Sequence, residues 1–249
     1  NVQIADRALF LTRCRDLLPE VFGTDAAVQD EQHRHARELV QSWSGRAAAE
    51  DPGYRIVRAF RNQVRADVFE SLIAGARAQA PDAQFTPSPQ FEGPLWALVT
   101  ERPMHLLDPR YESWPAALQG SLETVLADLL RTCDSLRACA WGGENTLSMR
   151  HPLSAALPIL GRWTDMPATP MHGDAAMPRV QGPKFGASER LVVSPGREAE
   201  GLFQMPGGPS GHPLSPFYGA GHEGWARGES RPLLPGEPQY VLTLTPGSP

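Results

Sequence analysis

The stretch Phe203–Trp225 reads FQMPGGPSGHPLSPFYGAGHEGW. Glycine, proline and serine at this density ordinarily mark a linker or a surface loop. Yet the same run carries Phe203, Phe217, Tyr218 and Trp225, and two histidines, His212 and His222. A segment with so few helix or strand formers but so much aromatic surface needs something to hold it in one shape.

The surroundings of this run have the same turn-rich grammar. Proline and glycine together number 17 before residue 150 and 31 from there on, which divides the chain into a helical first half and a turn-rich second half. The second half offers short strands. Leu191–Val193 ends in β-branched residues and stops at Pro195-Gly196, and Gly201–Met205 stops at Pro206-Gly207-Gly208. After the Pro235-Gly236 turn, Gln239–Thr245 alternates Tyr240, Leu242 and Leu244 against Val241, Thr243 and Thr245, the pattern of a half-buried strand. No internal repeat is read.

In the first half, Ile4, Ala8, Leu11 and Leu18 recur at helical spacing, with Gly23 as a stop. Thr24 or Asp25 is placed to cap a second helix running to Leu39, Val40 and Trp43 and closed by Gly45. Ile56, Phe60, Val64, Val68 and Leu72 step by four and form one slowly drifting face of a third helix. Residues 81–94, with Pro81, Pro87, Pro89 and Pro94, read as loop. Ser113 is an N-cap for a long helix with Pro115 in its first turn and Leu118, Leu122, Val125, Leu126, Leu129 and Leu136 on its apolar side. The fold class expected is α+β, with residues 1–140 mainly helical and residues 141–249 rich in strands and loops.

Composition limits the function classes. With 249 residues, 41% hydrophobic and 20% charged, the chain can bury a core, and general disorder is excluded. Net charge is −5, and the 22 arginines that accompany the single lysine, Lys184, are spread along the chain. No basic cluster tracks a phosphate backbone, so nucleic acid is not an expected partner. No apolar run approaches the ~20 residues that cross a bilayer, so no membrane span is expected. Cys14, Cys133 and Cys139 leave at least one free thiol. On one continuous helix Cys133 and Cys139 would stand about 9 Å apart, beyond disulfide reach. They can pair only if the helix ends between them; the reading preferred is three buried or idle thiols.

A search for chemistry yields little. The hydrolase elbow G-x-S-x-G is missed by one position in Gly208-Pro209-Ser210-Gly211-His212, and Gly186-Ala187-Ser188-Glu189-Arg190 lacks the second glycine. There is no phosphate loop around Lys184 and no HExxH. His33 and His35, two apart on a helix, point to different faces. His212, His222 and Glu223 match no compact metal-ligand pattern. Asp165 and Asp174 flank MPATPMHGD; as a pair they could do acid–base work, but Asp174 after Gly173 better suits a turn cap that accepts backbone N–H bonds.

The order of motifs says more than any one of them. Trp141-Gly142 precedes His151-Pro152-Leu153 and His172-Gly173-Asp174. Phe185-Gly186-Ala187-Ser188-Glu189-Arg190, Pro206-Gly207-Gly208-Pro209-Ser210-Gly211, Leu214-Ser215-Pro216-Phe217-Tyr218 and Trp225-x-x-Gly228 follow. This succession over residues 141–228 resembles the C-terminal part of the β subunit of penicillin acylases (penicillin amidases), a family that includes acyl-homoserine-lactone acylases. Val2–Leu18 resembles, by pattern, the helix that follows the active-site region. The resemblance implies an N-terminal-nucleophile hydrolase of αββα architecture. Its precursor cuts itself, the freed α-amine of a serine serves as base for that serine's hydroxyl, and an amide is hydrolysed to an amine and a carboxylic acid.

Residue 1 here is Asn1, without a nucleophilic hydroxyl or thiol, so no catalytic residue is carried over. Catalytic, cofactor-binding and metal residues are all read as none, and no cofactor is expected. The chain is expected to be one partial domain of a longer β subunit that completes the sheets of the hydrolase. Its partners would be the α subunit and the N-terminal part of the β subunit, with a small-molecule acyl amide bound by the intact enzyme. The resemblance further implies a periplasmic or secreted protein acting in antibiotic metabolism. Within it, the glycine- and proline-rich loop becomes a rigid connection, with Phe217, Tyr218 and Trp225 burying aromatic surface to anchor it. A part cut from a larger core should expose apolar surface, with homodimerisation as one consequence. Two other readings stand beside this one: a stand-alone binding module, and a metal-dependent enzyme using His172, Asp174, His212 or His222.

Overall fold

A computed structural model describes residues 2–23, 31–82, 84, 88 and 90–247. The fold is α+β, with helices far outweighing four short strands among the described residues. The chain divides into two compact units, residues 6–145 and residues 146–249 with 1–5.

The first unit is helical. Its first helix, α1 (Leu9–Val21), ends with Gly23 at φ 71°, as the glycine stop predicts. It starts later than the apolar stripe suggests. Ile4 belongs to a separate turn, and the backbone between them pairs elsewhere: Ala8 N–H donates to Gly45 O and Ala47 N–H to Asp6 O. Thr24 and Asp25 lie outside the described residues, and α2 is Glu31–Ser42. α3 (Pro52–Gln79) is capped by Asp51, whose carboxylate accepts from Tyr54 N–H at 3.1 Å. Its predicted stripe is buried at Ile56, Phe60 and Val64, then drifts outward until Leu72 is 41% exposed. Gly53 is required where α2 meets α3, since a Cβ there would stand 2.3 Å from Leu39 O.

The prediction of loop over residues 81–94 is overturned at its end. Glu92-Gly93-Pro94 form the first turn of α4 (Glu92–Glu101), where a proline forfeits no helical hydrogen bond. α5 (Trp114–Thr132) begins as expected: Ser113 Oγ accepts from Ala116 N–H at 3.3 Å. It stops before Leu136, because Cys133 is extended at φ −133°, ψ 148°, and Leu136 sits in a short 3₁₀ turn. That break corrects the reading of idle thiols. With the helix ended, the Cα atoms of Cys133 and Cys139 come within 5.6 Å and the two form a disulfide, leaving Cys14 as a buried free thiol. α6 (Trp141–Glu144) places Trp141 against Tyr54, ring centroids 5.1 Å apart, with the Arg58 guanidinium 4.5 Å over its ring.

The second unit contains α7 (Pro152–Ala156), α8 (Gly161–Thr164), β1 (Gln181–Gly182), β2 (Phe185–Gly186), β3 (Arg190–Val192), β4 (Leu202–Gln204) and α9 (His222–Arg227). β1 and β2 form one antiparallel pair and β3 and β4 another, in the register Arg190↔Gln204, Leu191↔Phe203, Val192↔Leu202. The two predicted strands near 191 and 201 thus exist and pair with each other. The third does not form: residues 239–245 are irregular, and Tyr240, Val241, Leu242 and Leu244 are at least 80% exposed. An alternating segment buries one face only when a sheet lies beside it, and among the described residues none does.

Candidate functional site

Four of the motifs singled out in the sequence, FGASER, PGGPSG, LSPFY and the WxxG of residues 225–228, meet around α9. Trp225 is its centre, with 1% of its surface exposed. The Trp225 indole N–H donates to Ala187 O at 2.9 Å, which ties the FGASER motif to the last turn of the glycine-rich run. Arg190, from the same motif, lies 5.0 Å over the Trp225 ring. Its Nη1 donates to Trp225 O at 2.7 Å and to Gln204 Oε1 at 3.2 Å. Arg179 donates through Nη2 to Ala226 O at 2.8 Å. Two cationic side chains therefore meet the C-terminal carbonyls of α9, where the helix dipole favours positive charge. Burial, and secondarily the nearby Arg179 charge, bring the Arg190 guanidinium down to about 10, so it stays protonated at neutral pH as a buried cation.

The glycine-rich loop is held from both ends. His222 is buried, its Nδ1 2.6 Å from Pro206 O. Tyr218 O–H donates to Thr164 O at 2.7 Å, and Gly208 N–H donates to Tyr218 O at 2.8 Å. Gly208 lies so close to the following turn that a Cβ would stand 1.7 Å from Phe217 O. Tyr218 and Trp225 thus act as the anchors expected of them. Phe217 does not: it is 61% exposed, because the close approach at Gly208 brings its carbonyl inward and leaves its ring out.

The other candidates are dispersed into local structural roles. Asp165 Oδ1 accepts from Ser154 Oγ at 2.6 Å and from His151 N–H at 2.9 Å, which ties the start of α7 to the end of α8. Those bonds, led by Ser154, hold the Asp165 carboxyl below its ordinary range. Asp174 Oδ1 accepts from Ala175 N–H at 2.6 Å, as suits a turn cap. His33 contacts Glu123 Oε1 at 2.7 Å while His35 is exposed, so the two do not converge. Glu223 pairs with Arg227. Among the described residues, no three His, Cys, Asp or Glu side chains come together as a metal site.

One repeat escaped the sequence reading. His-Pro-Leu-Ser occurs at residues 151–154 and again at 212–215. Both copies adopt one local shape: His151 Nδ1 accepts from Leu153 N–H at 3.1 Å, and His212 Nδ1 from Leu214 N–H at 3.2 Å. In each the serine N–H donates back to the histidine carbonyl at 2.9 Å. These histidines cap turns, which explains their proximity to serines without any nucleophilic geometry.

The second unit is also the exposed one. Of the 20 large apolar side chains exposed among the described residues, 17 belong to it. No helix among the described residues is long and apolar enough to cross a membrane.

Comparison with known proteins agrees with the motif order. The chain is 25% identical over 228 residues to the penicillin acylase 2 proenzyme of Pseudomonas sp. strain SE83. That alignment takes in 86% of this chain but 28% of the proenzyme, so the chain spans little more than a quarter of that protein's length. The penicillin amidase family model matches residues 3–240, across both units and through all the motifs gathered at α9. On that match the chain belongs to the penicillin amidase family.

Proposed function

We propose that this chain is the C-terminal scaffold of a penicillin-acylase-like amidohydrolase, which cleaves a linear amide to an amine and a carboxylic acid. The catalytic nucleophile is supplied by polypeptide outside these 249 residues, and the chain by itself is inactive. Its work is to complete the sheets of an N-terminal-nucleophile hydrolase and to brace the acyl pocket. The observation that carries this reading is the family match combined with coverage of only 28% of a proenzyme relative. The exposed apolar surface of the second unit supports it, since side chains patterned for burial imply a cover.

The arrangement around α9 supports a bracing role more than a chemical one. Arg179 and Arg190 each give one guanidinium nitrogen to a backbone carbonyl of the helix, and the loop packs so closely at Gly208 that a Cβ has no room. The Cys133–Cys139 disulfide supports a periplasmic or secreted setting, because disulfides persist where thiols are not kept reduced. The test is the mass of the protein isolated from its native cells. The account expects this sequence inside a polypeptide several times longer, or in complex with a second one. A free, abundant 249-residue species with no companion would refute it.

A further inference from the structure

The β3–β4 hairpin has one occupied edge and one open edge. Along β4, Phe203 N–H donates to Arg231 O at 3.0 Å, and Leu233 N–H donates to Gly201 O at 2.8 Å. Residues 231–233 therefore lie along the outer side of β4, with an antiparallel bridge Leu202↔Pro232. The alternation of antiparallel pairing then fixes β3. Since Phe203 faces residues 231–233, the bonded pairs across the hairpin are Arg190↔Gln204 and Val192↔Leu202. The N–H and C=O of Leu191 point away from β4, and Val193, two residues on, continues that direction. Among the described residues the Leu191 carbonyl accepts from Gln3 Nε2 at 3.5 Å, the outer limit of a hydrogen bond.

The two faces of the hairpin are also unequal. On one face Arg190 points inward over Trp225 and donates to the buried Gln204. On the opposite face lie Leu191, Val193 and Met205, 47%, 44% and 41% exposed, with Phe203 directly across from Leu191. An open edge beside an exposed apolar face is the template for adding a strand. Proteins blunt such edges with charge, proline or a covering element; here the sequence Leu191-Val192-Val193 carries no charge.

We infer that the outer edge of β3 is a docking site for a strand from the remainder of the same precursor. That strand would take the Leu191 and Val193 backbone groups and lay apolar side chains over Leu191, Val193 and Phe203. The occupant is chosen because the proenzyme relative contains more than twice as much polypeptide outside the aligned part as inside it. The inference rests on reading this chain as one part of a longer precursor, and it deepens that reading by naming the contact.

The experiment is residue-resolved amide hydrogen exchange on the whole gene product, with the 249-residue chain as reference. The expected result is that the Leu191 and Val193 amides exchange about a hundredfold slower in the whole protein. The Arg190 and Val192 amides, already bonded to β4, should change far less. Equal exchange of Leu191 and Val193 in both samples would overturn the inference. So would protection in the short chain that grows with its concentration, because the occupant would then be a second copy. The double variant Leu191→Lys, Val193→Lys gives a separate readout. It should leave the melting temperature of the 249-residue chain unchanged but prevent recovery of the assembled protein, and equal recovery would count against the contact. Amide hydrolysis by the whole protein is scored independently. An active protein with an unprotected edge defeats only this inference, and an inactive one with a protected edge defeats only the proposed function.

Discussion

Removal of the Trp225 side chain is the sharpest perturbation of the α9 arrangement. The ring is 1% exposed, supports the Arg190 guanidinium at 5.0 Å and donates to Ala187 O at 2.9 Å. A buried Trp→Ala change costs about 3–5 kcal/mol through lost transfer energy and the cavity left behind. Trp225→Phe keeps most of the apolar contact but strands the Ala187 carbonyl, at about 1–3 kcal/mol, and weakens the cation–π contact by about 1 kcal/mol. The expected order is therefore Trp225→Ala well below Trp225→Phe, with both below the parent. Against a total stability of ~5–15 kcal/mol the alanine variant loses a large share. Urea titration followed by circular dichroism measures the loss, and amide exchange over residues 206–224 locates it in the glycine-rich loop. If Trp225→Ala shifts stability by less than about 1 kcal/mol, or if the loop amides exchange rapidly in the parent, the anchoring argument is wrong.

Phe217→Ser gives the contrast, since the ring is 61% exposed: it should change stability by no more than about 0.5 kcal/mol in the same titration. Cys133 and Cys139, six residues apart, close a short loop whose constraint is worth about 2 kcal/mol in the chain-entropy picture. The double serine variant should lose that amount, and thiol titration of the denatured parent should find one free cysteine; three would disprove the pairing. For Asp165 the folded pKa lies below the ordinary 3.8, owing first to Ser154 and then to the His151 N–H. Its stabilising effect is present above the ordinary value and fades as pH falls through the lowered one. Asp165→Asn should accordingly flatten the acid limb of the stability profile below about pH 4, and an unchanged limb would refute the assignment.

The long helices were legible because their signals are local. Ser113, read as an N-cap, caps α5, and the apolar residues of α3 and α5 recur where a core needs them. What escaped was set by partners distant in sequence. The N-terminal stripe from Ile4 breaks because residues 6–8 pair with residues 45–47. The alternation at 239–245 is a strand pattern with no neighbour to pair with, so no strand forms. The disulfide turned on whether α5 ended before Cys139, a boundary of a few residues that apolar periodicity does not define. Around α9, the order of the motifs pointed to the family, but the role of Arg190 was invisible. A single arginine after GASE carries no sign that it will be buried over a tryptophan thirty-five residues away.

On the proposed function these residues support amide hydrolysis without performing it. Initial rates on a panel of aromatic and long-chain acyl amides, measured for the whole gene product and for this chain at equal molarity, test it most directly. Enzymatic turnover is expected from the whole protein and none above background from the 249 residues. Comparable turnover by the short chain, or none by the whole protein on any amide, would contradict it.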